Sequence, residues 1–504
     1  MTDKVNAIDI GGRLEVFWDR FLLDENQSNY NAYPQACLKL EKPDKKEIVL
    51  RLDKDWEGNT CGYFQYFHDG KKYRFYYRAG NGFSGKQIRK NSCICLLLSE
   101  DGINWERPDL GLVEFDGSKN NNIVFSADEL DNFFIFKDEN PECLPAEQYK
   151  AISQGRRSAE YPSGGLYVYV SPDGLSWTAA PRPLDINGAE KEHFFDSHNT
   201  AHWDRETGVY RVYFRGFHND ENGNRVRDIR LAVSYDFIRW DEMGALHYDS
   251  VLNNNDQLYT NSITPYYRAP HIRIGFPVRY VERKWEPMFD QFPNREWRLE
   301  KMERFNMPRL GIALTDGLFI SSRNGLDFCR YDEPFLAPGI FRDYNWVYGD
   351  CYQGCGLVET SAGEISFFAA EDYTSRPVGI RRYAIRQDGF ACFYAGAEPK
   401  QMTTRVFTFT GNTLVLNAAT SAAGCITAEF LDQDGAPIPD YSGESGYCMF
   451  GDHTAVKTLF WRKKAAENNV AVTDLSPLAG KPVRLRFTLK EAKLYAMRFI
   501  TGDL

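Results

Sequence analysis

The sequence predicts an all-β chain, a five-bladed β-propeller followed by a C-terminal antiparallel β-sandwich. Three observations carry that expectation. A Ser-x-Asp-Gly-x-x-Trp hairpin recurs at irregular intervals, a Tyr- and Phe-rich strand pair precedes it, and past residue 401 the texture changes to strands of alternating polarity. The expected division is a propeller over residues 1–400 and a sandwich over 401–504. Helical periodicity is scarce throughout.

The hairpins read Ser99-Glu-Asp-Gly-Ile-Asn-Trp105, Ser171-Pro-Asp-Gly-Leu-Ser-Trp177, Ser234-Tyr-Asp-Phe-Ile-Arg-Trp240 and Ser322-Arg-Asn-Gly-Leu-Asp-Phe328. Each follows an apolar strand. Asp-Gly and Asn-Gly favour a tight turn, and the closing aromatic packs the outgoing strand onto its neighbour. From Ser to Ser the steps are 72, 63 and 88 residues. One antiparallel sheet per unit is the mark of a propeller, with the excess length held in loops.

The preceding strand pairs are clearest at 62–80, 198–216 and 262–280. Residues 124–180 supply the second blade. The fifth unit lacks the hairpin and reads GLVETSAGEISFFAAED, then GIRRYAIRQDGFACFYAG. The N-terminal RLEVFWDRFLL is a candidate closing strand for this propeller. From residue 402 onward VFTFTGNTLVLNAAT, CITAEFLDQDG and KPVRLRFTLKEAKLYAMRF alternate apolar and polar residues, as strands with one buried face do. The composition agrees, with 29 Tyr, 35 Phe and 10 Trp, because aromatic residues favour strands. Aromatic faces also stack on sugar rings.

Two stretches resemble a known group. Phe195-Asp196-Ser-His-Asn-Thr-Ala-His-Trp203-Asp204, continued by Gly208-Val-Tyr-Arg-Val-Tyr213, is similar to the pattern of glycoside hydrolase families 32 and 68 and their propeller relatives in family 43. Trp105-Glu-Arg-Pro-Asp-Leu-Gly111 with Asn120-Asn-Asn-Ile-Val124 resembles bacterial proteins described as sucrase-like. The resemblance implies a glycosidase that needs no cofactor. Two departures separate the chain from family 32 fructosidases. The Trp-Met-Asn-Asp-Pro-Asn type motif is replaced by Asp55-Trp56-Glu57-Gly-Asn59-Thr-Cys-Gly62, and the Arg-Asp-Pro motif is broken because Ser197 follows Asp196.

Glycoside hydrolysis needs one ionised and one protonated carboxyl facing the scissile bond. At the axial mouth of a propeller the starts of the innermost strands converge, and that selects candidates from 70 acidic residues. Asp196 precedes the innermost strand of blade three. Glu57 precedes that of blade one, with Trp56 beside it as a sugar platform. Asp256 precedes Leu258-Tyr259-Thr-Asn261 at blade four. These three acids are the catalytic candidates. Asp350 and Glu371 join Asn199, Tyr259 and Asn261 as substrate-binding candidates. Arg78, Arg215 and Arg279 each end a blade's second strand, placed to bind sugar hydroxyls or to clamp a carboxylate or phosphate. Each of these residues also has a structural alternative, as a turn cap or an inter-blade ion pair.

The expected activity is hydrolysis of a neutral oligosaccharide or glycoside, a furanoside among the choices, by an exo-acting enzyme. A glycoside phosphorylase and a non-catalytic glycan-binding propeller are the alternatives. A net charge of −10 argues against nucleic acid as a partner and favours neutral glycans, unless a local Arg cluster overrides it. No run approaches 18 apolar residues, so no membrane span is expected. The start lacks a signal-peptide pattern, and 11 scattered Cys fit a reducing cytoplasm. No metal site is expected. Cys93-x-Cys95 and Cys351-x-x-x-Cys355 lack further ligands, and in a strand two of His193, His198 and His202 four positions apart lie about 13 Å apart. Self-association into a homo-oligomer is left open by the sequence.

Overall fold

The computed structural model describes residues 7–26, 31–83, 91–128, 132–155, 164–187, 195–249, 255–443, 446–464 and 469–502. His193 lies outside them. Half of the structure is strand and 5% is helix, so the fold is all-β.

Residues 43–385 form one compact unit. Its first blade pairs Gly62–His68, Tyr73–Ala79, Asn91–Ser99 and Ile123–Asp128 in order. Residues 124–128 therefore close blade one and do not open blade two. Blade two is Phe134–Lys137, Tyr149–Gln154, Leu166–Ser171 and Thr178–Pro183. Blade three runs from Thr200–Asp204 through Val209–Asn219 and Arg225–Ser234 to Arg239–Ala245. Blade four runs from Thr264–Tyr266 through Ala269–Gly275 and Ile320–Ser322 to Asp327–Arg330. Blade five begins at Tyr352–Gln353, continues through Glu364–Glu371 and Gly379–Arg386, and ends on Asp44–Arg51. The strand that completes the fifth blade is thus 44–51, antiparallel to 379–386. A small extra sheet joins Gln257–Leu258, Val278–Val281 and Leu314–Gly317 beside blade four.

The hairpin aromatics show why the blades form a ring. Each faces the preceding blade. Trp177 packs against the apolar layer that holds Tyr76, Ile94 and Leu96 of blade one, Trp240 lies in the apolar layer between blades two and three, and Phe328 meets Tyr213 of blade three at 6.3 Å. Phe276 of blade four stacks on Phe367 of blade five at 5.6 Å, and Trp105 of blade one meets Phe368 of blade five at 5.7 Å. Burying these faces removes large apolar areas from water, at about 25 cal/mol per Å².

The hairpin itself is one device used four times. In the second copy the Ser171 hydroxyl accepts from the Gly174 N–H at 2.9 Å, and Asp173 Oδ1 accepts from the Leu175 and Ser176 N–H groups at 2.8 Å each. In the first copy the Ile103 and Asn104 N–H groups hold the Asp101 carboxyl at about 2, against the opposing effect of burial, which is the largest single influence. Gly102, Gly174 and Gly325 take positive φ at the turn, and Phe237 replaces them at φ 64°. That conformation costs a non-glycine residue about 1–2 kcal/mol. Phe237 offsets it by packing its ring on Tyr210 and Trp240 at 4.9 and 5.2 Å. Asp173→Ala is expected to lower the unfolding free energy by about 1 kcal/mol, read from the denaturant midpoint, with folded-state activity unchanged.

The second unit combines residues 1–42 with 386–504. This corrects the sequence boundary at both ends. Glu15–Val16 pairs with the last long strand, Val483–Ile500, and does not close the propeller. Ala391–Ala395 pairs with Cys37–Leu40 and with the same last strand, so FACFYAG belongs here and not to blade five. The sequence reading failed because β patterning tells which face is buried, not which partner buries it. The unit's spine is Thr413–Asp432 antiparallel to Val483–Ile500, with a register break between Thr420 and Cys425. Its core includes Leu414, Leu416, Phe430, Trp461, Leu485 and Phe487, all fully buried.

Candidate active site

The innermost strands of the propeller begin at one end, and short polar bonds tie their starts together. Asn132 donates to the Phe195 carbonyl at 2.5 Å, Ser197 to the Tyr259 carbonyl at 2.7 Å, and Ser262 to the Gln353 carbonyl at 3.2 Å. Asn261 donates to the His198 and Tyr213 carbonyls and accepts from Thr200. Asn199 donates to the Phe195 carbonyl and accepts the Arg215 N–H. Both asparagines, expected to bind substrate, are fully buried with these bonds made inside the protein. They position the mouth and do not face a ligand.

A cup of tyrosines occupies this mouth. Tyr259 and Tyr348 share a hydroxyl hydrogen bond of 2.8 Å. Tyr259 also stacks on Tyr352 at 5.9 Å and tilts against Tyr280 at 5.6 Å. Tyr373 packs on Tyr352 at 5.5 Å. Burial, the largest influence, lifts the Tyr348 and Tyr352 hydroxyls well above their ordinary range, so both stay protonated donors. Three arginines sit on these rings. Arg215 lies 4.9 Å from the centre of Tyr259, Arg227 5.4 Å from Tyr280 and Arg309 4.9 Å from Tyr348. Arg309 comes from a long insertion within blade four, and Tyr348 from the connection between blades four and five. The helix Arg295–Phe305 anchors both, its buried Arg298 donating to the Gly311 and Asn345 carbonyls at 3.2 and 3.0 Å.

Of the predicted acids, Asp196 stands exposed at this mouth, and its charge acts on the guanidinium of Arg215. Asp350 lies between Tyr348 and Tyr352 in sequence and is 3% exposed. Its carboxyl is pushed up to about 7, first by burial and then by Glu371 and Asp372, against the pull of Arg342 and Lys45. Among the described residues no hydrogen bond or ion pair reaches it. Burial also works to raise Glu371. Arg381, Lys45 and Arg342 outweigh it and leave that carboxyl below its ordinary value. Arg381 Nη2 reaches Glu371 at 3.0 Å and Lys45 Nζ at 3.4 Å, and Arg342 also pairs with it. Neighbouring carboxyls with pKa values driven apart are the signature of acid–base assignment.

The remaining candidates lie elsewhere or are otherwise engaged. Glu57 has no exposed side-chain surface. Arg107 forks its carboxylate at 3.0 and 2.8 Å, and the Tyr77 hydroxyl donates to it as well. It is a buried ion pair, closed to a substrate. Trp56 beside it bonds Asn122 at 2.9 Å and packs on Phe115, on the side of the outermost strand of blade one. Asp256 pairs with Arg330, and Arg279 forks Asp316 at 3.0 and 2.6 Å. Arg279 is therefore engaged by carboxylate and drops out of the predicted arginine trio. Arg78 donates to the Thr60 carbonyl at 2.9 Å and lies over Tyr63, which tilts against His198 at 5.5 Å. Burial drives both His198 and His202 down to about 3, so each is neutral. Among the described residues no group of three His, Cys, Asp or Glu side chains is placed to hold a metal ion.

Sequence reasoning missed Tyr280, Tyr348, Tyr352, Tyr373, Arg227 and Arg309. Tyr348 and Tyr352 flank the already selected Asp350, which was a usable signal. Arg309 had none, since its position depends on how an insertion folds back. A cavity of about 490 Å³ lies at the opposite ends of the inner strands, lined from all five blades by residues such as Phe67, Phe136, Trp203, Thr264 and Leu357. None of the candidate acids lines it. Its Glu139 and Glu359 are engaged by Arg205 and Tyr267.

No family model matches the chain, and no curated protein matches it. Solved structures similar to it include glycoside hydrolases, a member of a mannoside phosphorylase family and an N-acetylgalactosamine deacetylase. One, named simply as a glycoside hydrolase, is 12% identical, covers 69% of this chain and 93% of its own, and has a TM-score of 0.46. A member of the GH130 family, which is described as mannoside phosphorylases containing glycoside hydrolases that target β-1,2-mannosidic linkages in Candida mannan, is 13% identical over 68% of this chain and 94% of its own, with a TM-score of 0.42. A fructofuranosidase from Schwanniomyces occidentalis, complexed with fructosylnystose, is 10% identical over 96% of this chain and 100% of its own, with a TM-score of 0.38. At such identities and TM-scores no residue role passes from them to this chain.

Proposed function

We propose that the chain is a glycoside hydrolase whose reaction takes place in the tyrosine cup of the propeller. The observation that carries this reading is Asp350, a buried carboxyl without a hydrogen-bond or ion-pair partner among the described residues, pushed up to about 7 beside the ionised Glu371. Held neutral near pH 7, Asp350 donates its proton to the departing glycosidic oxygen. Asp196, exposed and next to Arg215, is the nucleophile or the base that activates water. Their separation in a substrate complex decides between the two, about 5–5.5 Å for retention and about 6.5–9.5 Å for inversion. Tyr352 and Tyr259 offer ring faces and hydroxyls to the sugar. The family 32, 43 and 68 pattern around Asp196 supports placing that residue in the reaction.

The test is a screen of chromogenic fructo-, arabino-, galacto- and glucosides, followed by Asp196→Asn on the best substrate. Turnover is expected to fall at least a hundredfold with ligand binding retained. A variant that keeps wild-type turnover removes Asp196 from the mechanism. Binding of glycans with no turnover of any of them by the wild type would make the protein a glycan-binding propeller instead.

A further inference from the structure

The three arginines of the cup differ from most of the chain's buried guanidiniums. Arg107, Arg211, Arg230, Arg279, Arg330 and Arg381 each meet a carboxylate within the protein. Among the described residues Arg215, Arg227 and Arg309 meet none. Arg215 is 4% exposed, and among the described residues its guanidinium donates only to the Tyr259 carbonyl. Arg227 donates to the Gln257 side-chain oxygen at 2.9 Å, and its Nε is buried without a partner. Among the described residues the guanidinium of Arg309 has no hydrogen-bond partner, and its Nε is buried too. Charges taken out of water are normally paired, because an isolated one costs several kcal/mol. The local charge balance makes the point stronger. Among the described residues Asp196 is the carboxylate whose charge acts on Arg215, and it projects into solvent.

We infer that the cup binds an oxyanion, a carboxylate or phosphate clamped by Arg215, Arg227 and Arg309, with one hydroxyl of the hydrogen-bonded Tyr259–Tyr348 pair as a further donor. Planar guanidinium forks match the oxygen spacing of both groups. The substrate is then an acidic sugar, or inorganic phosphate binds beside a neutral one. The local cluster overrides the net charge of −10, which on its own favours a neutral glycan. The naming of a substrate rests on the glycosidase reading above, whereas the anion site does not.

Calorimetry on the full chain separates these. Inorganic phosphate and glucuronate are expected to bind, with affinity falling as salt rises, while glucose binds at least tenfold more weakly. Arg309→Gln and Arg227→Gln are each expected to weaken anion binding at least tenfold without lowering Tm, because each removes an uncompensated charge; a residue with a structural role would lower it. Glucose bound as tightly as glucuronate, or anion binding untouched in both variants, would overturn the inference. The source of the anion follows from turnover. Phosphate that accelerates cleavage and appears in the product as a sugar phosphate identifies a co-substrate. Phosphate that competes with a uronide identifies the substrate's own carboxylate. Anion binding without any glycoside turnover would leave the anion site standing and remove the hydrolase reading.

Discussion

Asp350→Asn lowers turnover of a cleaved glycoside at least a hundredfold and removes the basic limb of the pH–rate profile. A general acid contributes about 10²–10⁴ in rate, and only its protonated form works. With the Asp350 carboxyl at about 7, wild-type activity holds below that pH and declines above it, about tenfold per unit. The same group sets a stability effect that is independent of chemistry. Its folded pKa lies above the unfolded value of about 4, so the folded state holds the proton more tightly. Stability from this group is therefore full below about pH 4 and is lost as pH rises toward 7, by about 4 kcal/mol in all. Asparagine carries no such cost, so Asp350→Asn is expected to be the more stable form at pH 8. Glu371 works in the opposite direction, since its lowered pKa gives stability that is lost on acidification. Thermal unfolding of both proteins from pH 4 to 8, alongside their rate profiles, checks both parts. Wild-type turnover in the variant, or parallel stability curves, would remove Asp350 as a buried acid.

Glu57→Ala is expected to have a large effect of a different kind. It leaves Arg107 facing a buried site without its carboxylate, and removing one partner of a buried pair costs about 3–5 kcal/mol. Tyr77 loses its acceptor as well. The fraction that remains folded should turn over substrate within about threefold of wild type, because Glu57 is enclosed in its ion pair with no exposed side-chain surface. Glu57→Leu combined with Arg107→Met should recover part of the loss, since replacing both charges by apolar groups is often neutral. Denaturant midpoints and active-site-normalised rates distinguish this from a catalytic role, in which turnover would collapse and stability would hold.

These two residues show where sequence reasoning works and where it stops. Glu57, Asp196, Asp256 and Asp350 all stand at or near the start of an inner strand, so position alone ranks them alike. What separates them is which cations reach them in space. Arg107 lies 50 residues from Glu57 in sequence and Arg330 74 from Asp256, while among the described residues no cation pairs with the Asp350 carboxyl, and Arg342 and Lys45 act on it only through their charge. Arg215 was found because its sequence setting, like that of Arg78, reads as a strand end, although its strand runs on to Asn219. Arg309 was not, because the insertion that carries it has no repeat to register it against.

The five blades and their hairpins were determined by local chemistry. Ser-x-Asp-Gly makes its own hydrogen bonds within seven residues, and alternation of apolar side chains fixes which face each strand buries. Those interactions are short-range and therefore written in adjacent letters. Which strand completes the fifth blade, which segments join the sandwich, and which carboxyl is left neutral were decided only on folding. Each depends on contacts between residues far apart in the chain, and the cost of an unpaired buried charge exists only once water has been excluded from around it.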